Sequence, residues 1–590
     1  MPVDNAAQVE VPTPRPCFIA ATGRPLFVWH HAPPSHLRRG AGVVLCQPLG
    51  YEYMSAYRSW RILATRLAAL GFDVLRVDYD GTGDSEGDYD DPDRVGAWLR
   101  SIDCAIDEAR MLSGSNVVAL IGLRAGAMLA LQAAAARGGV DRLVLWSPFL
   151  SGRAYLREVK AFAALTRDDH ACDDADERSA INASGHLLTA ETAAALGGWN
   201  IDAVTTRPAP DVLVVDRDDC TVDAKLESRL IALGSRLTRV RPAGTAAMLT
   251  LPHNSRVPDQ ALDAITAWFR DWRVPPASPG ALASRAEHAA AVPSECRART
   301  VRFGPGDRLF GVLDLPADDT GRAPAIILFN TGTEYHIGPH RLYVRLAREW
   351  AARGHLVLRF DLGGIGDSEP PPDAEGNVAY PGQMLDDACE AIAFVRKEWP
   401  RRRVIVAGLC SGGWLAFLAA REGLEVDGIV SINPPLFLRD GAAGAQWVLD
   451  GDDLERYQQS IRNPAKWIKA LRGAASYANF TRVAASTLGR QFAVRVNGVL
   501  GDAIPNGLAK DLITIADRKI RSLFIFSRGD DGLEYFQLHA QPALRRAGVR
   551  DFVQHVVVEG AGHTFRPRAA QAALRKLLID FVASQDCRAD

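Results

Sequence analysis

The run Gly408-Leu409-Cys410-Ser411-Gly412-Gly413 follows the apolar stretch Val404-Ile405-Val406-Ala407 and precedes Trp414-Leu415-Ala416-Phe417-Leu418-Ala419-Ala420. A strand, a sharp turn of small residues and a helix-compatible run thus surround one thiol. Such a turn strains the backbone of its apex residue, so the neighbours must have almost no side chain. The helix that starts just behind the apex favours a thiolate through its dipole. The chemistry this arrangement permits is covalent attack on a carbonyl.

The elements that carry this turn are written twice. Val43–Glu86 aligns with Ile326–Glu369 without a gap. Arg58 meets Arg341, Leu63-Ala64 meets Leu346-Ala347, and Gly71 meets Gly354. Val74-Leu75-Arg76-x-Asp78 meets Val357-Leu358-Arg359-x-Asp361, and Gly81-x-Gly83-Asp84-Ser85-Glu86 meets Gly364-x-Gly366-Asp367-Ser368-Glu369. Two copies of one domain are expected, at 12–274 and 298–585, around a linker at 275–297 that opens Pro275-Pro276-Ala277-Ser278-Pro279-Gly280. In the second copy short apolar runs at Ile326–Phe329, Leu356–Phe360, Arg403–Ala407, Gly428–Ile432, Leu523–Phe526 and Val553–Val558 alternate with amphipathic segments. That alternation predicts an α/β fold, a mostly parallel sheet with helices on both faces. Asp361 and Asp367 recur in the first copy as Asp78 and Asp84, so they read as structural.

The elbow, the strand pattern and the Arg-x-Asp-x-x-Gly-x-Gly-Asp-Ser run resemble the α/β-hydrolase superfamily, twice over. More narrowly, the copies look like serine-aminopeptidase-like hydrolases encoded beside exosortase systems and natural-product pathways. The resemblance implies a nucleophile, acid, histidine order along the chain. Cys410 then serves as nucleophile. Asp530, in Ser527-Arg528-Gly529-Asp530-Asp531, is the acid, with Asp531 as the fallback. His563, at the Gly-flanked turn Glu559-Gly560-Ala561-Gly562-His563, is the clearest base among 13 histidines. An oxyanion hole is expected from the backbone N–H of Ser411 and, in the loop after the early strand, that of Thr333. Ser411 as nucleophile would put Leu409 where a small residue is needed. His336 and His340 flank the oxyanion loop and suit the surface or a substrate pocket.

The first copy has Gly122-Leu123-Arg124-Ala125-Gly126 at its elbow. A guanidinium stays protonated and cannot attack a carbonyl. Asp219 is placed against Asp530, and His253 where the base belongs, so this copy reads as degenerate. Arg124 either pairs with Asp219 and locks the pocket, or binds a carboxylate or phosphate.

Inserted helical caps are expected at about 149–210 and 435–520. The second runs from Arg456 to Gly501 with eight Lys or Arg residues and no Asp or Glu, with Trp467, Tyr477 and Phe480 among them. A basic lid over an acyl pocket suits coenzyme A, a phosphopantetheine arm or an acidic carrier protein; a solvated helical face fits the same composition. The first cap is Asp-rich around Asp168–Asp176, and the two lids could instead touch each other.

Bulk properties exclude other classes. At 590 residues the chain exceeds one core, and a net charge of −2 offers no general affinity for nucleic acid. Apolar residues make up 47%, with no membrane-length run. Met1-Pro2-Val3-Asp4-Asn5 lacks the basic and apolar regions of a secretory leader. Nine scattered cysteines without paired spacing suit reduced thiols in the cytoplasm, with no metal site and no cofactor. The expected function is acyl transfer from a thioester or ester through an acyl-cysteine. Release goes to water, to an amine or alcohol, or, by resemblance to Dieckmann-type cyclases, to an internal carbanion. A non-catalytic scaffold of a biosynthetic assembly is the alternative, and a homodimer is possible in either case.

Overall fold

The computed structural model describes residues 11–20, 23–166, 180–220, 224–274, 297–372, 374, 376–440 and 507–586. Most of the second cap, the acidic stretch of the first cap and nearly all of the linker lie outside these residues.

The first copy contains β1 (Arg15–Ile19), β2 (Leu26–His31), β3 (Gly42–Cys46), β4 (Asp73–Val77), β5 (Val118–Leu123), β6 (Arg142–Trp146), β9 (Asp211–Val215) and β10 (Arg236–Val240), with a separate hairpin of β7 (Ile181–Ala183) and β8 (His186–Leu188). Its sheet order is β1-β2-β4-β3-β5-β6-β9-β10. The second copy contains β11 (Ala298–Phe303), β12 (Leu309–Asp314), β13 (Ala325–Phe329), β14 (Leu356–Phe360), β15 (Val404–Leu409), β16 (Gly428–Ile432), β17 (Arg521–Ser527) and β18 (Val553–Val558). Its order, β11-β12-β14-β13-β15-β16-β17-β18, repeats the first strand for strand. In each sheet the second strand runs antiparallel to both its neighbours, and the remaining pairs are parallel.

All-apolar strands form because both faces are covered. Val44, Leu75 and Leu120 face one helical layer, and Val43, Val74 and Ile121 the other. The opening strand pair was not among the apolar runs. β11 reads Ala-Arg-Thr-Val-Arg-Phe, an alternation suited to a half-exposed antiparallel edge.

The repeated motif builds both the turns and the seam between copies. Asp84 N–H donates to Asp78 at 2.9 Å, and Asp367 N–H to Asp361 at 3.1 Å. The Ser85 hydroxyl donates to the Asp78 carbonyl and the Ser368 hydroxyl to the Asp361 carbonyl, each at 2.6 Å. A Cβ on Gly83 or Gly366 would stand 1.9 or 2.2 Å from that aspartate's carboxylate, and both glycines have positive φ. Across the seam Arg76 pairs with Asp367 at 2.6 Å, and Arg359 with Asp84 at 2.6 Å. The exchange is reciprocal, so the copies meet about a local two-fold axis. Each guanidinium has a second partner at equivalent positions: His31 at 3.1 Å for Arg76, Asp314 at 2.9 Å for Arg359. Arg341 adds bonds to the carbonyls of Gly83, Ser85 and Gly87. Apolar contact flanks the ions, with the Trp29 and Phe310 rings 4.7 Å apart.

Among the described residues no helix is long and apolar enough to cross a membrane.

Candidate active site

Cys410 directly follows β15 and precedes the helix Ser411–Arg421, at φ 57° and ψ −116°. Its N–H reaches the Ile432 carbonyl at 2.8 Å, fixing the apex beside β16. A Cβ on Gly408 would meet Gly412 at 2.4 Å, and one on Gly412 would meet the Phe329 and Asn330 carbonyls at 2.6 Å. The strain is therefore held by backbone packing that any larger neighbour would break.

Around the thiol the expected partners come together. His563, in the loop after β18, places Nδ1 2.7 Å from Asp530 Oδ2. Asp530 Oδ1 accepts from Gly532 N–H at 2.9 Å, capping the helix Asp531–His539. Helix cap and histidine partner are thus one residue using two oxygens. Asp531 lies in the first turn of that helix. Burial pushes the Cys410 thiol up, but the charge and hydrogen bond of His563, the Tyr380 hydroxyl and the Ser411 N–H outweigh it and hold the thiol below its ordinary value. For His563 desolvation opposes the charged form, but the Cys410 sulfur and the Asp530 carboxylate raise it well above the usual histidine range. The electrostatics favour a thiolate–imidazolium pair.

Three supporting residues carried no signal in the sequence. Tyr380 brings its hydroxyl to 3.9 Å from Cys410 Sγ from a loop of weak pattern. Tyr343 OH lies 3.0 Å from Thr331 Oγ1 and accepts from Leu409 N–H at 2.9 Å, joining the oxyanion loop to the elbow. Asn433 donates to the His563 carbonyl at 2.7 Å and to Ser527 Oγ at 3.1 Å, tying the histidine loop to β17.

In the loop Asn330–Tyr335, Gly332 N–H donates to Ser411 Oγ at 2.7 Å, so the Ser411 side chain is a strut between loop and helix. Thr333 lies one residue on and lines the crevice between the copies, beside Tyr57, Arg58 and Tyr335. His336 and His340 are not at the surface. Both are buried: His336 reaches Asp84 of the first copy, and His340 the Thr564 carbonyl.

The first copy keeps the elbow at φ 56° and ψ −118°. Arg124 does not pair with Asp219. Its Nε meets Glu52 at 2.7 Å and its Nη2 meets Glu158 at 2.5 Å, with the guanidinium 4.0 Å over the Phe149 ring. Asp219 is held by Arg217 at 2.6 Å. Strand register explains the difference. Val215 pairs with Trp146 as Ile525 pairs with Ile432, and five residues beyond stand Cys220 and Asp530. Cys220, not Asp219, holds the acid's place. His253 is exposed in the turn before the helix Asp259–Arg270.

A family model described as serine aminopeptidase, S33, matches residues 42–172 and again 321–455, one match per copy and each spanning an elbow. The two matches and the repeated sheet order together support a tandem α/β-hydrolase superfamily protein. No curated protein matches the sequence. Solved structures similar to this chain include Est1E from Butyrivibrio proteoclasticus with ferulic acid bound, at 18% identity over 43% of this chain and 96% of that one, TM-score 0.32. A lidless α/β serine hydrolase from Xanthomonas campestris is similar at 17% over 43% and 91%, TM-score 0.29. The Pyrococcus furiosus esterase Pf2001 is similar at 15% over 48% and 92%, TM-score 0.28.

Proposed function

We propose that the second domain is a cysteine-dependent acyl-transfer enzyme acting on a thioester or ester, and that the first domain is non-catalytic. The observation that carries this reading is a thiol at a strained elbow, lowered by a histidine that an aspartate orients. The Cys410 thiolate attacks the acyl carbonyl, and electron density moves onto the carbonyl oxygen. Backbone N–H groups at the head of the helix Ser411–Arg421 and in the facing loop are suited to stabilise that oxyanion. Collapse expels the alcohol or thiol, protonated by the His563 imidazolium, and leaves an acyl-thioester on Cys410. Neutral His563 then takes a proton from the acceptor as the acceptor attacks, and the thiolate leaves. Asp530 keeps the imidazole in one tautomer and stabilises its cation.

An acyl-thioester reacts readily with acceptors other than water, so transfer or cyclisation is as compatible with the site as hydrolysis. The test is intact-mass analysis after incubation with p-nitrophenyl butyrate and with acyl-thioesters. An acyl adduct on Cys410 that disappears in Cys410→Ala supports the reading. Turnover that survives the substitution removes Cys410 as the nucleophile, and no adduct with no turnover on any acyl donor favours the scaffold alternative.

A further inference from the structure

We propose that the first domain is a positioning partner for the second: through Asp84 it holds His336 and the loop Asn330–Tyr335 against the Cys410 elbow, and through the β7–β8 hairpin it holds the chain just after His563. The inference rests on the reading of Cys410 as the nucleophile.

The first grip is a buried carboxylate–imidazole–carboxylate bridge. His336 Nδ1 lies 2.8 Å from Asp361 and Nε2 lies 2.7 Å from Asp84. Both nitrogens face carboxylates, so both donate and the ring is an imidazolium. Burial lowers its pKa, but the two aspartates prevail and raise it to about 10. The same Asp361 accepts from His336 N–H at 2.7 Å and from Asn330 Nδ2 at 3.1 Å, so the bridge anchors both ends of the loop. Between those ends Gly332 meets Ser411. In the first copy the place of His336 is taken by Tyr53, whose single hydroxyl donates to its own Asp78. Histidine differs by having a second donor, and that donor reaches across the seam. The Tyr53 hydroxyl bonds only its own domain, whereas His336 hydrogen-bonds both domains.

The second grip is on the chain that follows His563. Asn182 of the hairpin donates to the Arg566 carbonyl at 3.1 Å, and Arg566 donates to the Thr166 carbonyl at 2.6 Å. Gly185 packs so closely on the His340 ring that a Cβ there would stand 2.6 Å from it, and His340 in turn bonds the Thr564 carbonyl at 3.1 Å. Thr564 and Arg566 directly follow His563.

Asp84→Asn and Asn182→Ala in the full chain separate positioning from simple support. Two readouts are compared: p-nitrophenyl butyrate turnover, which uses the oxyanion donors, and iodoacetamide alkylation of Cys410, which needs only the thiolate. For Asp84→Asn, kcat is expected to fall on the order of tenfold at unchanged KM, with alkylation within about twofold of wild type. Turnover and alkylation that fall together with the folded fraction overturn the inference. Wild-type turnover independent of Cys410 sinks the functional reading instead. Positioning is then read by amide hydrogen exchange: faster exchange confined to residues 330–336 supports it, and unchanged protection overturns it. Should Asp84→Asn not fold, Asn182→Ala is expected to slow alkylation about threefold and speed exchange after His563. Neither change appearing overturns the second grip.

Discussion

The two elbows have the same backbone and opposite chemistry. Arg124 and Cys410 differ by 1° in φ and 2° in ψ, and each N–H bonds the neighbouring parallel strand, at Trp146 and Ile432. The strained turn is therefore a property of the fold, kept by glycine packing whether or not a nucleophile occupies it. What differs is the charge facing the apex. Around Arg124 stand the carboxylates of Glu52 and Glu158. Around Cys410 stand an imidazole, a phenol and a backbone N–H, all donors to an anion. A site of this kind is made less by its turn than by the sign of what surrounds it.

The sharpest way to break the comparison is to exchange chemistry at the apex. Cys410→Ala is expected to lower p-nitrophenyl butyrate turnover by at least about a thousandfold with no change in melting. Arg124→Cys is expected to create no second acyl site, because Cys220 stands in the acid's place and Glu52 and Glu158 would oppose a thiolate. Intact mass should report one adduct, and two would show that the surroundings matter less than the turn. Next in size is His563→Ala. Without the imidazolium, iodoacetamide alkylation of Cys410 at pH 7 should slow on the order of tenfold or more, with its pH profile moved to higher pH because burial then goes unopposed by His563. In the wild type the Cys410 pKa is depressed, so the thiolate persists as pH falls until that lower value is passed. The His563 pKa is raised, so its proton persists as pH rises. The reactive window therefore extends to the acid side of a free thiol, and a profile identical to the variant's would refute the pairing.

Arg124→Ala tests the other half. Removing one partner of a buried ion pair leaves Glu52 uncompensated and should cost about 3–5 kcal/mol in the first domain, read by thermal or urea unfolding. Arg124→Met with Glu52→Leu should recover much of this, since apolar replacement of both partners removes the buried charge. The seam between the copies has its own pH signature. The folded-state pKa of His336, about 10, lies above its ordinary value. Its contribution is fully present below about pH 6.5 and is lost as pH rises through about 10. The midpoint of urea unfolding is expected to decline over that window, and less so in Asp84→Asn.

The repeat was legible because buried parallel strands are apolar on both faces and the Gly-x-Gly-Asp-Ser turn tolerates little change. Cys410, Asp530 and His563 could be singled out from the sequence because each follows a strong strand signal. Arg124's true partners were not, since Glu52 and Glu158 approach from a helix and a cap far apart in sequence, and Asp219 was misplaced by a single residue of register. Asp361 and Asp367 were read as structural because they recur in the first copy as Asp78 and Asp84. That Asp84 and Asp367 each pair with the arginine of the other copy depends on how two similar domains pack, which neither copy records alone. His336 was misread for the same reason: its second carboxylate lies in the other domain.

The smallest expected effect concerns the donor the sequence concealed. Tyr380 OH stands 3.9 Å from Cys410 Sγ, and its bond favours the thiolate. A sulfur contact of that length is weak, and Tyr380→Phe removes one donor while leaving His563 in place. The Cys410 pKa should rise by a fraction of a unit. Alkylation at pH 6, where the thiolate fraction is sensitive to that rise, should slow about two- to threefold. At pH 9 the wild type and the variant should coincide. Slowing at both pH values would mean that the phenol acts on access to the thiol rather than on its charge, and no slowing at pH 6 would remove Tyr380 from the set of donors that distinguishes this elbow from the one at Arg124.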